Sequence, residues 1–559
     1  MNYKTDINVL KDIVKKYIFS DPELQKVVIP ALAVLIMGKF IQVKAAAQVK
    51  DLSELIKDKH LSFGFLCKFG FYMLVSISIS EFSSAWLCKF GQRGYRNAAK
   101  DGYEYYLRLH PTDYSSIGKG TIQNNIKRRA SAVKDTIDVL TLNFTPLIFT
   151  LIFSFWNIFH NMNLKSLLLI CFAIFLYIYL TIKTTIWRNK IREDLIESTN
   201  KNQNILIDGL NNFEVIYTSA TEKYEINRYN KYLKVTEKEN TYLTRTMYFL
   251  NFVQGIIWES AIFILIFFNY FVMSKNDKNI SEIGYILTMT GMLKSSLFNI
   301  GFMYGKYKSG IMNFRLTNKP SRSIKTLGKT KFGEFKKAIS VYDLTMCYGD
   351  KIILESVNFN ILKGEKIALI GSNGCGKSTL LKSLLKLNGA NGYIFIDDHD
   401  VERIIDEDFR KLFTYIPQNP TLFDEDVKYN IKYNHQKVFD DAMYSLASKM
   451  GLHDDIVRLN AGYETLCGEN GTLLSGGERQ KIFFLRALLS EIPVLALDEA
   501  TSALDKKSED NIFSRISKMK DLTVIAIVHN LELLKYFDRI LKVENRKVHE
   551  IPFNELKLN

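Results

Sequence analysis

Hydrophobic and polar positions change their pattern near residue 310. Before it run long, almost unbroken apolar stretches. After it, short apolar runs of four to six residues alternate with polar segments, turns and helix-compatible stretches. Six of the early stretches, near 27–43, 62–86, 138–158, 166–183, 248–273 and 283–304, are apolar enough to cross a bilayer. A crossing takes about 20 residues. The first is short and carries Lys39; only a brief polar turn, His160 to Lys165, separates the third from the fourth. A single such stretch fits a buried soluble helix, but six in series predict an α-helical membrane domain over 27–315, behind an N-terminal segment, 1–26. A linker, 316–336, carries Pro320, Arg322 and several lysines. Strand-like alternation then starts near Ile339 and predicts an α/β domain over 337–559.

The connections are unequal. Polar, helix-compatible residues join the second stretch to the third and the fourth to the fifth, while the other connections are short. Long helices are therefore expected to project from one side of the membrane. The projecting segments hold Arg93, Arg96, Lys127, Arg128, Arg129, Arg188, Arg192, Arg228 and Arg245. The positive-inside rule turns that side toward the cytosol or its topological equivalent. Six crossings return the chain to the same side, which places the α/β domain there.

Chemistry enters in the second half. Gly371-Ser372-Asn373-Gly374-Cys375-Gly376-Lys377-Ser378, followed by Thr379, fits the phosphate-binding loop G-x-x-x-x-G-K-[ST]. Gly364 to Ile370 reads as a buried strand before it, and Thr379 to Leu387 as the helix after it, which is the context the motif needs. Glycines let backbone amides close around phosphates, and the helix N-terminus favours their charge. Lys377 supplies a point charge to the β- and γ-phosphates, and Ser378 a hydroxyl to Mg²⁺. Cys375 needs to contribute only its backbone amide.

Asp498 closes the apolar run Val494 to Leu497 and is placed to hold Mg²⁺. Glu499 is the candidate general base for the attacking water. His529 follows Val524 to Val528 and is a candidate sensor of the γ-phosphate. Gln418 sits on a loop where it can touch the metal, and Tyr348 is a candidate to stack on adenine. Each of these last three alone reads as an ordinary loop or core residue; their order along the chain points to ATP hydrolysis. Leu474-Ser475-Gly476-Gly477-Glu478 offers a second set of hydroxyl and amide donors at a helix start. One chain cannot easily bring both motifs to one ATP, whereas two chains head-to-tail can. Ser502-Ala503-Leu504-Asp505 is expected along that dimer interface.

Composition adds restraint. The chain has 559 residues and a formal charge of +15. Basic inside-facing loops account for that charge, and no nucleic-acid module accompanies it. None of the six cysteines forms a C-x-x-C pair, so neither a metal knuckle nor a disulfide framework is indicated. Residues 1–26 mix Lys with Asp and Glu and read as neither signal nor transit peptide, so any targeting signal is expected to be internal or atypical.

The combined motifs resemble the ATP-binding-cassette transporters. Trp187-Arg188-Asn189-Lys190-Ile191-Arg192, Asn212 to Tyr217, Glu222 to Glu225 and Arg228-Tyr229 resemble the membrane-domain pattern of the mitochondrial exporters that serve iron–sulfur protein assembly. Leu250-Asn251-Phe252-Val253-Gln254 is similar to that group's L-N-x-G-Q run, and Gly301-Phe302-Met303-Tyr304 to its G-S-V-Y. The resemblance covers about Tyr17 to Leu541. It departs from the pattern at Ile41 to Ala45, where the usual proline is missing, and at Lys294, a charge inside the sixth stretch. The resemblance implies a type IV exporter fold, a homodimer embedded in lipid, ATP and Mg²⁺ as cofactors, and a mitochondrial or mitosomal inner membrane; a bacterial inner membrane or a plasma membrane is the alternative. It further implies a glutathione-like substrate between the two membrane halves, with Arg188, Arg192, Asn251, Gln254 and Gly301 around it. Arg188 and Arg192, four apart, share one helix face, and guanidinium groups suit the two carboxylates of glutathione. Asn251 and Gln254 put amides into an apolar span. An exporter of drugs, peptides or lipids with the same architecture, a soluble cassette ATPase, and a membrane protein with an inactive cassette are the competing readings.

Overall fold

The structure is a computed structural model and describes residues 3–57, 60–162, 164–273, 279–298, 300–317, 328, 330–348, 351–433, 435 and 438–553. It divides into two compact units, residues 1–108 with 119–320, and residues 109–118 with 321–559.

Helices account for the first part of the chain: α1 (Tyr3–Val14), α2 (Pro22–Lys57), α3 (Phe63–Leu107), α4 (Pro111–Ile117), α5 (Lys119–Asp138), α6 (Thr145–Asn161), α7 (Leu164–Asn211), α8 (Phe213–Thr218), α9 (Glu222–Met273), α10 (Asn279–Phe298) and α11 (Ile300–Thr317). Among the described residues, five helical stretches are long and apolar enough to cross a membrane: Leu24–Ile56, Phe63–Leu107, Lys119–Asn161, Leu164–Asn211 and Glu222–Phe268. The sixth expected stretch, 283–304, falls on α10 and the start of α11. Both long connections are helix extensions around a short helix, α4 in the first and α8 in the second.

Of residues 1–26, read only as a segment ahead of the spans, the described part from Tyr3 onward is largely helical and joins the core. Ile13, Tyr17, Ile18 and Leu24 are buried with Leu87, Phe90, Ala98 and Val133. A π-helical turn, Val139–Phe144, links α5 to α6. Pro146 explains it: proline has no N–H and crowds the carbonyl four residues back, so the preceding backbone widens to the next bonding pattern. A second core gathers Tyr177, Trp258, Leu265, Tyr285, Met289 and Leu293 from α7, α9 and α10. Phe71, Leu74, Ile77 and Phe82 on α3 are exposed apolar side chains, as expected where a helix meets lipid.

In the second unit the strands are β1 (Ala338–Tyr348), β2 (Lys351–Leu362), β3 (Lys366–Ile370), β4 (Asn391–Ile396), β5 (His399–Asp400), β6 (Phe413–Ile416), β7 (Val494–Asp498), β8 (Thr523–Ile527), β9 (Arg539–Glu544) and β10 (Lys547–Ile551). They form an antiparallel sheet in the order β2-β1-β4-β5 and a six-stranded sheet in the order β10-β9-β3-β8-β7-β6. Strands β9, β3, β8, β7 and β6 run parallel. Burial on both faces is why β3, β7 and β8 read as continuous apolar runs. Alternate residues divide between two cores. Ile367, Leu369, Ala496 and Ile525 pack with Leu380, Leu381 and Leu384 of α12 (Lys377–Leu384). Ala368, Leu495, Leu497 and Ala526 pack on the other face, with Ile482 and Leu485. Short helices α13 (Asp406–Arg410), α14 (Val427–Ile431), α15 (Asp440–Lys449) and α16 (His453–Val457) precede α17 (Gly476–Leu489), and α18 (Lys506–Ile516) follows β7. Thr330 bridges to Ile404 and Phe335 is buried in this unit's core, so its packing begins inside the stretch read as linker; residues 318–327 of that stretch lie outside the described residues.

Candidate functional site

The carboxyl ends of parallel strands are where open α/β sheets bind ligands. Four strands deliver candidate residues there. Gly371 follows β3, Asp498 ends β7 with Glu499 next, His529 lies just beyond β8, and Gln418 just beyond β6. The parallel register holds Asp498 opposite Ile527 and Leu497 opposite Ile416, so these side chains emerge at one level.

The phosphate loop turns sharply. Gly371, Gly374 and Gly376 all have positive φ, at 148°, 80° and 110°. A Cβ at Gly371 would lie 2.4 Å from the Val543 carbonyl oxygen, and one at Gly376 2.9 Å from Ile353, so both positions demand glycine. Helix α12 starts at Lys377, earlier than the sequence suggested, which puts Lys377 and Ser378 in its first turn. The buried Lys377 ammonium donates to the carbonyls of Gly371 at 2.8 Å and Ser372 at 2.9 Å. Ser372, Asn373 and Gly374 are exposed, while Cys375 and Thr379 are half-buried.

Asp498 is 4% exposed and fully engaged. Ser378 Oγ donates to one carboxylate oxygen at 2.7 Å, and Tyr415 OH to the other at 2.8 Å. Burial, with Asp498 close by, drives the Tyr415 phenol far above its ordinary pKa, so it remains a donor. The two oxygen ligands expected for Mg²⁺, Ser378 Oγ and Asp498, are therefore already paired. Hard oxygen donors in this arrangement fit that ion, with the Gln418 amide as a third.

Glu499 has φ of 52°, a left-handed conformation uncommon for a residue with a side chain. Such strain persists where the surroundings over-determine it. Here they do: Gln418 Nε2 donates to Glu499 Oε2 at 2.7 Å, and His529 Nε2 lies 2.7 Å from Oε1. The three residues assigned to catalysis thus form one connected group. They line a cleft of about 740 Å³ together with Asn373, Lys377, Ser378 and Ser502. Tyr348 ends β1, but its side chain lies outside the described residues.

Ser475 caps α17. Its Oγ accepts from Glu478 N at 3.3 Å, and Glu478 Oε2 accepts from Ser475 N at 2.7 Å, a complete capping box. Leu474 is buried beneath. Ala503 covers the two following glycines: a Cβ on Gly476 would meet Ala503 Cβ at 3.1 Å, and one on Gly477 the Ala503 carbonyl at 3.0 Å. Ser502 and Ala503 are exposed, Leu504 is half-buried, and Asp505 caps α18 by accepting from Ser508 N at 2.9 Å.

Two connections escaped the sequence reading. Gln480, 1% exposed, accepts from Ala503 N at 3.1 Å and donates to Ser502 Oγ at 3.4 Å, tying the start of α17 to the loop after Glu499. Glu509 accepts from Thr501 Oγ1 at 2.6 Å and from Asn530 Nδ2 at 3.0 Å, joining that loop to the neighbour of His529. Their only signal in sequence is a polar side chain on an otherwise apolar helix face.

In the membrane-domain unit the proposed substrate residues are largely turned inward. Arg188 is 7% exposed; its Nε donates to Thr246 Oγ1 at 3.0 Å and a terminal nitrogen to Leu243 O at 3.4 Å. Arg192 donates to Gly305 O at 3.0 Å. Gln254 is buried and donates to Thr181 Oγ1 at 2.6 Å. Gly301, expected to floor a cavity, is buried; a Cβ there would sit 3.3 Å from Leu250 and 3.6 Å from Thr181, so within the protomer its bareness serves close packing of α11 on α9 and α7. Asn251 is half-buried.

Comparison with known proteins agrees with this division. Residues 24–297 match the ABC transporter transmembrane region, and residues 354–502 match the ABC transporter domain. The mitochondrial iron-sulfur clusters transporter ABCB7 of Oryzias latipes is 28% identical over 502 residues, covering 87% of this chain and 66% of that protein. The mitochondrial iron-sulfur clusters transporter atm1 of Neurospora crassa is 25% identical over 551 residues, covering 94% of this chain and 76% of that protein. The chain thus spans about two thirds to three quarters of these relatives' lengths. A bacterial Atm1-family ABC exporter with ATP bound superposes with a TM-score of 0.85 at 22% identity, covering 94% of this chain and 95% of the other, so the fold is the type IV exporter fold. With one transmembrane region and one ATP-binding cassette in a single polypeptide, the chain belongs to the ATP-binding-cassette transporters as a half-transporter.

Proposed function

We propose that the chain is an ATP-driven exporter that works as a homodimer and carries glutathione-linked sulfur or iron–sulfur precursor compounds out of a mitochondrial or mitosomal matrix. The observation that carries the engine is the convergence of Lys377, Ser378, Glu499, Gln418 and His529 on one cleft, with Asp498 bonded to Ser378 behind it, while the exposed Ser475 stands outside its lining. A donor set outside the cleft suits a second copy's nucleotide, and two such halves make two complete sites. Lys377 holds the β- and γ-phosphates. Ser378, Asp498 and Gln418 would hold Mg²⁺, which would neutralise phosphate charge. Glu499 accepts a proton from the attacking water, and His529 keeps that carboxylate aimed. Gln418 and His529 each take one oxygen of Glu499, and the lone pairs that remain on those oxygens are left for the attacking water.

The cargo reading rests on the mitochondrial relatives and on Arg188, Arg192, Asn251, Gln254 and Gly301. Only part of each guanidinium is spent inside the protomer, and Arg has five donors, so carboxylates can still be bound from the side facing a partner. The test is ATPase stimulation in the reconstituted protein by reduced glutathione, its disulfide and a lipophilic cation. Stimulation by a glutathione species supports the reading. Stimulation by the lipophilic cation alone would sink it.

A further inference from the structure

The membrane domain holds an ion pair in mid-span. Lys294 on α10 bonds Glu259 on α9, and the two side chains are 41% and 62% exposed. Glu259 lies about 16 Å along its helix from residue 248 and about 21 Å from residue 273, at a rise of 1.5 Å per residue. Lys294 lies about 16 Å along α10 from residue 283, and α11 carries the apolar stretch on to residue 304. Neither can reach a headgroup by extending its side chain. Full charges that deep are costly against lipid, and they lie on protein interfaces or water-filled paths. The pair is exposed in the protomer, so it is not buried packing.

Its surroundings are shaped for a visitor. Asn251, Gly255 and Glu259 recur every four residues and so share one face of α9. Gly291 and Lys294, three apart, share a face of α10. A Cβ added at Gly255 or at Gly291 would meet nothing within 4 Å. The ion pair is therefore flanked on both helices by glycines that leave open space, with Asn251 about 12 Å further along α9.

We infer that Glu259 and Lys294 line the transport path and bind the ammonium and carboxylate groups of a zwitterionic solute. An ion pair suits this task. When the solute enters, its ammonium takes Glu259 and its carboxylate takes Lys294, so the pair opens without leaving an uncompensated charge in a poorly solvated place. This deepens the export reading above and rests on it, because the γ-glutamyl end of glutathione is such a zwitterion.

The experiment uses the full-length protein reconstituted in lipid. Glutathione disulfide and its bis-N-acetyl form, which lacks the ammonium groups, are titrated against ATPase activity. Glu259→Gln is expected to raise the half-saturating concentration of the disulfide about tenfold and leave that of the acetylated form unchanged. Lys294→Gln is expected to weaken both. The reversed pair, Glu259→Lys with Lys294→Glu, is expected to keep the fold without restoring the preference for free ammonium. Equal shifts for both ligands in Glu259→Gln, or full recovery in the reversed pair, overturns the assignment and leaves the pair a structural link. Independently, Lys294→Cys is treated with a charged, membrane-impermeant methanethiosulfonate and read at position 294 by peptide mass spectrometry. Modification is expected, and its absence overturns the inference. If the disulfide fails to stimulate the unsubstituted protein, the glutathione reading falls, while the labelling, which needs no substrate, still decides whether the pair is water-lined.

Discussion

The cassette and the membrane domain treat their polar residues in opposite ways. In the cassette, side chains from four strands meet within one cleft, and Glu499 sits in a strained left-handed conformation so that Gln418 and His529 can both reach it. In the membrane domain, Arg188, Arg192 and Gln254 are spread along two helices, α7 and α9, and each is tied to a neighbour in the same protomer. Triphosphate has one shape and one charge pattern, and it imposes both residue type and spacing. A transported solute imposes neither so tightly, and the same polar side chains also hold helices together where water is absent. Polar residues thus report a ligand more directly in the cassette than in the membrane.

The largest expected effect tests the cassette side of this contrast. Glu499→Gln should lower the rate of phosphate release about 10²- to 10⁴-fold, the usual contribution of a positioned general base, and should accumulate an ATP-bound dimer on size-exclusion chromatography in detergent. Hydrolysis at the normal rate would remove Glu499 from the mechanism. Next comes Gln480→Ala. It removes the acceptor of the part-buried Ala503 amide bond, a loss of about 0.5–1.5 kcal/mol. ATPase activity should fall about tenfold, while nucleotide affinity measured by equilibrium binding stays the same. A loss of affinity would mean that Gln480 supports the phosphate loop instead.

Arg188→Ala bears on the membrane side. Removing a buried guanidinium that joins α7 to α9 should lower the thermal midpoint by several degrees, and stimulation by glutathione disulfide should weaken with it. A lower midpoint with unchanged stimulation would reduce Arg188 to packing and widen the contrast between the two halves. The smallest effect concerns the cap at the start of α18. The Ser508 hydroxyl and amide at the Asp505 carboxylate hold its pKa below the ordinary value. A depressed folded pKa stabilises above the unfolded value, near 3.9, and that contribution is lost as the pH falls through the folded one. Asp505→Asn should therefore be less stable than the parent at pH 7 in urea titrations, and the difference should close below about pH 4.

Much of the fold was legible because its rules are local. Length and apolarity marked the spans, and continuous apolar runs marked β3, β7 and β8. The loop from Gly371 to Ser378 announced its own helix. What stayed hidden depends on contacts between distant segments. Gln480 is only a polar side chain on an apolar helix face until Ala503 lies beside it, and Glu509 gains meaning only with Thr501 and Asn530 in reach. Tyr415 had no motif to name it; only the parallel register of β6 and β7 brings it to Asp498. The packing of residues 1–26 was invisible for the same reason, since Ile13 and Tyr17 are buried by helices many residues away.

Ser475 carries a consequence for how assembly is timed. Its hydroxyl already receives the amide of Glu478, yet a hydroxyl also has one hydrogen to give. The same atom can hold its own helix and reach outward in a single posture. Recognition across two copies then requires no refolding on the donor side, and the pause before closure belongs to the nucleotide. An acidic residue at this position would keep the helix intact while repelling the incoming phosphate, leaving a well-folded protein that never pairs.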